Sequence, residues 1–302
     1  MSGQGKVFIL IKKVKKMAAF VFPGQGSQHK GMGSDLFDQY AALTEIADDI
    51  LGYSIKQLCL EDPGKQLGET RYTQPALYVV NALSYLKKLK ESDNPPDYVA
   101  GHSLGEYNAL LAAGAFDFET GLLLVKKRGE LMSRVTGGGM AAVIGLSRDK
   151  VESALWINSI KGVEIANFNT PSQIVLSGSR DVIKKIGFLF ENEGAIYVVL
   201  NVSGAFHSSY MAPLAREFGE YLDNFSYGGI RIPVISNYTA RPYRQQEIKK
   251  NLTEQIASPV KWAESITYIM SQGQTIFEEV GPGNVLTGLI KKIQREAASD
   301  YN

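Results

Sequence analysis

The sequence predicts an α/β protein with a parallel main sheet and a small inserted unit. Three observations carry this prediction. Short apolar runs bounded by Gly-rich turns alternate with helical stretches between Ala18 and Arg134, which is the strand-helix alternation of parallel sheets. One such run, 97–100, leads straight into Gly101-His102-Ser103-Leu104-Gly105, and the Pro-free stretch from Glu106 to Ala115 reads as helix. Residues 140–201 read as strand, helix, two strands, helix and strand, the βαββαβ order of a ferredoxin-like unit.

Taken in order, the fold is expected to begin at Met17. Residues 1–16 stand apart: Val7 to Ile11 is apolar and is followed by Lys12, Lys13, Lys15 and Lys16, too short and wrongly ordered for a signal peptide. They are read as an expression remnant, an upstream start or a disordered basic arm. Ala18–Phe22 is a strand and Pro23–Gly26 a turn. Helical segments then run to about Lys90, closed off by Pro95-Pro96 before the elbow strand. A helix near Phe118–Arg134 precedes Gly137-Gly138-Gly139, read as a boundary. In the insert, strands are expected at Met140–Leu146, Val163–Ala166, Gln173–Gly178 and Ala195–Asn201, with helices at Arg148–Ile157 and Arg180–Glu193. Val234–Asn237 and Thr275–Val280 return to buried-strand character and rejoin the main sheet. The expected division is a large α/β-hydrolase-like domain, 17–139 and 202–295, and a small ferredoxin-like one, 140–201.

With 302 residues, 44% hydrophobic and 21% charged, the chain buries a large core. A net charge of +1 gives no global attraction to nucleic acid or to a membrane surface. No run approaches the roughly 20 apolar residues of a membrane helix. The single cysteine, Cys59, forms no internal disulfide and no His/Cys/Asp cluster has metal spacing, so a metal-free protein of the reducing cytoplasm is expected.

In a strand-to-helix turn as sharp as 101–105, neither flank of Ser103 has room for a side chain, hence glycine at both. The hydroxyl of Ser103 is then presented in a cleft beside the N–H of Leu104 at a helix N-terminus. A serine needs a base, and the chain has three histidines. His102 is next to Ser103 and leaves the backbone in another direction. His29 sits in a polar loop. His207, in Val202-Ser203-Gly204-Ala205-Phe206-His207-Ser208, follows the last insert strand where the chain crosses back over the cleft, and is the expected base. Pro23-Gly24-Gln25-Gly26 lacks both phosphate-loop patterns. Gln25 could offer its N–H as a second oxyanion donor, and a plain tight turn fits the local sequence equally well. On a helical wheel Arg128 falls within the arc of Leu124, Val125, Leu131 and Met132 and so points inward. A buried guanidinium demands an anion; the local sequence favours a structural carboxylate over a substrate's.

Together, Phe22-Pro23-Gly24-Gln25-Gly26-Ser27-Gln28, Gly101-His102-Ser103-Leu104-Gly105-Glu106-Tyr107, Arg128 in Val-x-x-Arg-Gly-x-x-Met, Gly204-Ala205-Phe206-His207, and Gly281-Pro282-Gly283-x-Val285-Leu286-x-Gly288-Leu289 resemble the malonyl-CoA:acyl carrier protein transacylase family, in order, from Met17 to about Lys292. The stretches 73–83 and 237–242 further resemble free-standing, trans-acting acyltransferases of polyketide synthases, disorazole-type in particular. The resemblance implies a ping-pong transfer of malonyl from malonyl-CoA, through a Ser103 ester, to the phosphopantetheine thiol of an acyl carrier protein. His207 is then the base, Gln25 and Leu104 hold the oxyanion, and Arg128 clamps the malonyl carboxylate. A backbone carbonyl near Gln255 orients the histidine, and Phe206 fills the space of an α-methyl group. The resemblance also implies a monomer without a tightly bound cofactor. Lys291, Lys292 and Arg295 are candidates for a basic rim facing an acidic carrier protein, with a solvated helix face as the plain alternative. Other readings are a housekeeping transacylase of fatty-acid synthesis, a serine hydrolase editing carrier-bound acyl groups, and a carrier-docking module with a dead site.

Overall fold

The computed structural model describes residues 18–91 and 95–299; the prefix 1–16 lies outside them. In chain order the elements are β1 (Ala19–Phe22), α1 (Ala41–Leu51), α2 (Ile55–Glu61), α3 (Thr70–Glu91), β2 (Tyr98–Gly101), α4 (Gly105–Ala113), α5 (Phe118–Ser133), β3 (Gly138–Ile144), α6 (Arg148–Ile157), β4 (Val163–Thr170), β5 (Gln173–Ser179), α7 (Arg180–Lys185), α8 (Gly187–Glu191), β6 (Ile196–Val199), α9 (Ala212–Leu222), β7 (Val234–Ile235), α10 (Ile248–Ala257), α11 (Trp262–Ser271), β8 (Phe277–Glu279) and α12 (Val285–Ser299). The protein is a mixed α/β fold with one parallel and one antiparallel sheet.

The parallel sheet has the order β7-β2-β1-β8. Its strands are covered on both faces, so their side chains alternate between two cores. Phe20, Phe22, Val99 and Val234 enter the larger core with α3, α4 and α5, whereas Ala19, Val21, Ala100 and Ile235 enter the core beneath α11 and α12. Because β1 and β2 are neighbours in register, Phe22 opposite Gly101, the two Gly-rich turns after them emerge side by side at the carboxyl ends of the strands.

The antiparallel sheet has the order β4-β5-β3-β6. One face carries α6 to α8 over Ala141, Val143 and Leu176. The other contributes Met140, Ala142 and Val175 to the larger core, so this sheet forms one wall of the space above the elbow. The sheet begins at Gly138, paired with Ser179, and not after the glycine run. A side chain at Gly138 would come within 2.1 Å of the Ala205 nitrogen, so glycine there permits close backbone contact. The expected helix 180–193 is broken at Ile186, where Gly187 packs under Tyr197. Strand β4 runs four residues past Ala166, since Asn167 and Asn169 belong to it.

Candidate active site

The elbow is as tight as its glycines suggest. An ideal Cβ on Gly101 would lie 1.9 Å from the carbonyl carbon of Gly105, and one on Gly105 would lie 2.0 Å from the carbonyl oxygen of Phe22. Ser103 between them has φ of 50°, a left-handed conformation a non-glycine residue adopts only when its surroundings impose it. Asn237 supplies part of that constraint: its Oδ1 accepts from Ser103 N–H at 2.7 Å and its Nδ2 donates to Gly101 O at 2.7 Å. The first Gly-rich turn closes on the elbow from the β1 side. A Cβ on Gly24 would sit 2.3 Å from His102 O and 3.7 Å from Leu104 N, so the turn that carries Gln25 lies directly against the elbow. Neither Gln25 N–H nor Leu104 N–H donates to an acceptor among the described residues, and both residues line the cavity over Ser103.

Ser103 Oγ lies 2.8 Å from His207 Nε2. His207 also has a left-handed backbone, φ 56°, and is 4% exposed. Its Nδ1 lies 2.8 Å from the carbonyl oxygen of Gln255, which can only accept, so Nδ1 carries the proton and Nε2 is free to receive one. That carbonyl is available for a local reason. Gln255 is in the last turn of α10, where its helical partner would be the N–H of residue 259, and residue 259 is proline. Burial, followed by the nearby charge of Arg128, lowers the His207 pKa to about 3, so the imidazole is neutral.

Arg128 is 1% exposed on α5, a helix capped by Asp117, whose Oδ1 accepts from Thr120 N–H at 2.8 Å. Its Nη1 donates to Gln74 Oε1 at 2.7 Å; its Nη2 donates to Gln255 Oε1 at 3.0 Å and to Ser103 Oγ at 3.1 Å. Its Nε has no partner, and no carboxylate oxygen among the described residues lies within ion-pair distance. The structural carboxylate favoured by local sequence is therefore not at this arginine. The nearest anion acts through an intermediary. Buried Glu106 accepts at Oε2 from Gln255 Nε2, 2.6 Å away, and at Oε1 from Asn237 N–H and the Tyr243 hydroxyl. Burial is the largest influence on that carboxyl and lifts its pKa to about 7, against the pull of its donors and of Arg128.

The cavity measures about 150 Å³ and brings together Ser103, His207, Arg128, Gln25, Leu104 and Phe206. Asn167 and Asn169 face it from β4. His102 also borders it, but its Nε2 is engaged with Asn169 Oδ1 at 2.9 Å and its ring stacks edge-on against Trp262. His29 is exposed, with Nδ1 3.3 Å from Ser27 O, and does not line the cavity. Lys291, Lys292 and Arg295 lie on α12, none lining it, and Lys292 faces Glu296 at 3.8 Å. Four polar residues to which sequence reasoning assigns no role complete the site: Gln74, Glu106, Asn237 and Tyr243. The sequence around Gln74 and Glu106 gives no distinct signal, since other polar residues, Thr73 and Asn108, stand close beside them in the same helices. Among the described residues there is no cluster able to hold a metal and no helix long and apolar enough to cross a membrane.

Comparison with known proteins fits this geometry. The acyl transferase domain model matches residues 19–301. The chain is 58% identical over 283 residues to the polyketide biosynthesis malonyl CoA-acyl carrier protein transacylase PksC of Bacillus subtilis, covering 93% of this chain and 98% of that protein. It is 57% identical to the polyketide biosynthesis protein PksE of the same organism, of which it spans only 37%. Identity to the malonyl CoA-acyl carrier protein transacylase of B. subtilis is 41%, over 92% of this chain and 90% of that one. A crystal structure of malonyl CoA-acyl carrier protein transacylase from Burkholderia pseudomallei superposes with a TM-score of 0.90 at 51% identity, covering 93% and 98% of the two chains. A malonyl-transacylase solved in complex with a type II polyketide acyl-carrier protein superposes at 0.87 with 34% identity, over 92% and 93%. A serine elbow, a carbonyl-oriented histidine and a family match over nearly the whole chain lead to one conclusion: the chain belongs to the acyl transferase domain family.

Proposed function

We propose that the protein moves a malonyl group from malonyl-CoA to the phosphopantetheine thiol of an acyl carrier protein, in polyketide biosynthesis, through an ester on Ser103. The observation that carries this reading is Arg128, a buried guanidinium beside the nucleophile with no carboxylate of its own. A permanent charge in that position is stabilised by an anion arriving with the substrate, and a malonyl group carries one two carbons from the reacting carbonyl. The higher identity to the polyketide transacylase than to the B. subtilis protein without that designation supports the pathway.

In the first half-reaction Ser103 Oγ attacks the thioester carbon while its proton passes to His207 Nε2. The N–H groups of Gln25 and Leu104 stabilise the oxyanion. Collapse breaks the carbon–sulfur bond, and the departing thiolate takes the proton from His207. The second half-reaction repeats these steps in reverse order with the carrier's thiol as nucleophile. No carboxylate is needed on the histidine, because Gln255 O already fixes the tautomer. Phe206, 5% exposed and lining the cavity, is taken to fill the space an α-methyl group would need. One methyl is worth only about 1–3 kcal/mol, so some methylmalonyl transfer is expected. The fold is read with this function as a large hydrolase-like domain bearing the elbow and a small ferredoxin-like domain closing over it.

A single-turnover experiment tests the reading. Labelled malonyl-CoA is mixed with enzyme, with and without holo carrier protein, and the ester, the loaded carrier and free malonate are followed. Carrier loading is expected to outrun release of malonate; the reverse order would make the protein a hydrolase. The pH dependence follows from the neutral histidine. Because the His207 pKa is depressed, the base stays unprotonated well below the ordinary histidine range, and the rate of ester formation from acetyl-CoA, which has no carboxylate for Arg128 to hold, is expected to stay flat from about pH 8 down to about pH 5, with no inflection near 6.5. The same shift acts on stability. The unfolded chain takes up the His207 proton first, so this contribution is complete above the unfolded value of about 6.5 and is lost as pH falls toward the folded value.

A further inference from the structure

We infer that Glu106 is a positioning residue: through the side-chain amide of Gln255, its carboxylate sets which way the Arg128 clamp is held. The inference rests on the reading that Arg128 receives the malonyl carboxylate. It is carried by the hydrogen bonds of Gln255, which leave its amide one orientation. Nε2 faces two acceptors, Ser103 O at 2.8 Å and Glu106 Oε2 at 2.6 Å, and Oε1 faces the donor Arg128 Nη2 at 3.0 Å. Turning the amide over would set NH2 against a guanidinium and a carbonyl oxygen against a carboxylate. Glu106 in turn is held by Asn237 N–H, 3.2 Å away, and the Tyr243 hydroxyl, both on Oε1, so Oε2 is left for Gln255. Its position in the first turn of α4 also suits a negative charge. Arg128 thus keeps a countercharge in its surroundings without being ion-paired, and its Nε remains without a partner. A carboxylate in direct contact with Arg128 would occupy the clamp; one relayed through a neutral amide orients it and leaves it vacant for the substrate.

Glu106→Gln is nearly isosteric and has a defined consequence. With the amide oxygen of the substituted side chain kept on Asn237 N–H and Tyr243, its NH2 faces the NH2 of Gln255. The Gln255 amide then turns over and presents a donor to Arg128.

The test is a double-mutant cycle on ester formation at Ser103, measured by rapid quench with labelled malonyl-CoA and with acetyl-CoA, which has no carboxylate. Wild type, Glu106→Gln, Gln255→Ala and the double variant are compared. Gln255→Ala removes the amide while keeping the backbone carbonyl that orients His207. Glu106→Gln is expected to lower the malonyl-to-acetyl preference by roughly ten- to a hundredfold, the factor for one charged hydrogen bond. In the Gln255→Ala background the same substitution is expected to change it by less than about threefold, because the relay is already cut. Equal effects in both backgrounds, or an unchanged preference in Glu106→Gln, would overturn the inference. Should Glu106→Gln fail to fold, Glu106→Asp keeps the charge and withdraws it by one methylene; a smaller loss of preference is expected, and wild-type preference overturns the idea. A wild-type enzyme without preference for malonyl would instead refute the clamp itself, a result separate from either.

Discussion

Arg128→Ala is expected to lower kcat/KM for malonyl transfer by about a hundred- to a thousandfold while acetyl transfer is retained or improved. The size follows from what the guanidinium contributes. A charged hydrogen-bonded contact to a substrate carboxylate in a buried site is worth roughly 3–4 kcal/mol when one partner is removed. Acetyl has no carboxylate and loses nothing by the change; it also enters a site from which an unsatisfied buried charge has been removed. The variant alters the base as well. Arg128 is the second cause, after burial, of the depressed His207 pKa, so its loss lets that value rise and moves the acid limb of the rate profile upward. Rates with the two acyl-CoA substrates at several pH values check both parts. Equal loss for malonyl and acetyl would show that Arg128 serves the chemistry at Ser103 Oγ, 3.1 Å away, and not the acyl carboxylate. Arg128→Lys is not a rescue, since one ammonium cannot reach Gln74, Gln255 and a carboxylate with the guanidinium's fork geometry.

The parts of this site legible in the sequence are those set by local rules. The elbow combines a strand, two glycines and a helix within a short span, and the inward direction of Arg128 follows from helical periodicity. What escaped was of two kinds. Gln74, Asn237 and Tyr243 act through partners 54, 134 and 137 positions away, and a polar residue in the sequence does not say which distant group will satisfy it. The second kind is polarity facing a cavity. Asn167 and Asn169 interrupt the apolar pattern of β4, so sequence reasoning ends the strand at Ala166, although the backbone stays paired with β5 through Thr170. The carbonyl of Gln255 lies between these cases. Any residue has a carbonyl and residue type says nothing of it, yet Pro259 four positions on marked this one as lacking its helical donor. Family resemblance supplied that position; the proline supplies its physical reason.

Gly105→Ala is expected to cost about 3 kcal/mol of stability or more and to abolish ester formation at Ser103. The new methyl would lie 2.0 Å from Phe22 O and 3.0 Å from Pro23 O, and both neighbours are backbone, so no side chain can swing aside. Relief requires β1 or the first turn of α4 to move. Phe22 O also accepts from His102 N–H at 3.0 Å, so moving it strains the peptide before Ser103. Moving α4 shifts Leu104 N–H, the proposed oxyanion donor on that side, and Glu106, proposed to hold Arg128 through Gln255. Loss of stability and loss of activity therefore share one cause. Gly288→Ala provides the contrast: this exposed glycine in α12 has nothing within 4 Å of its would-be Cβ, and alanine there is expected to stabilise by about 0.5–1 kcal/mol without altering turnover. Denaturant unfolding of the two variants, with burst amplitudes of the labelled ester, separates the effects. A Gly105→Ala protein that unfolds like wild type would mean that the strand and helix meet less closely than the elbow geometry requires. In that case the positive φ of Ser103 would no longer be explained by close packing of its neighbours.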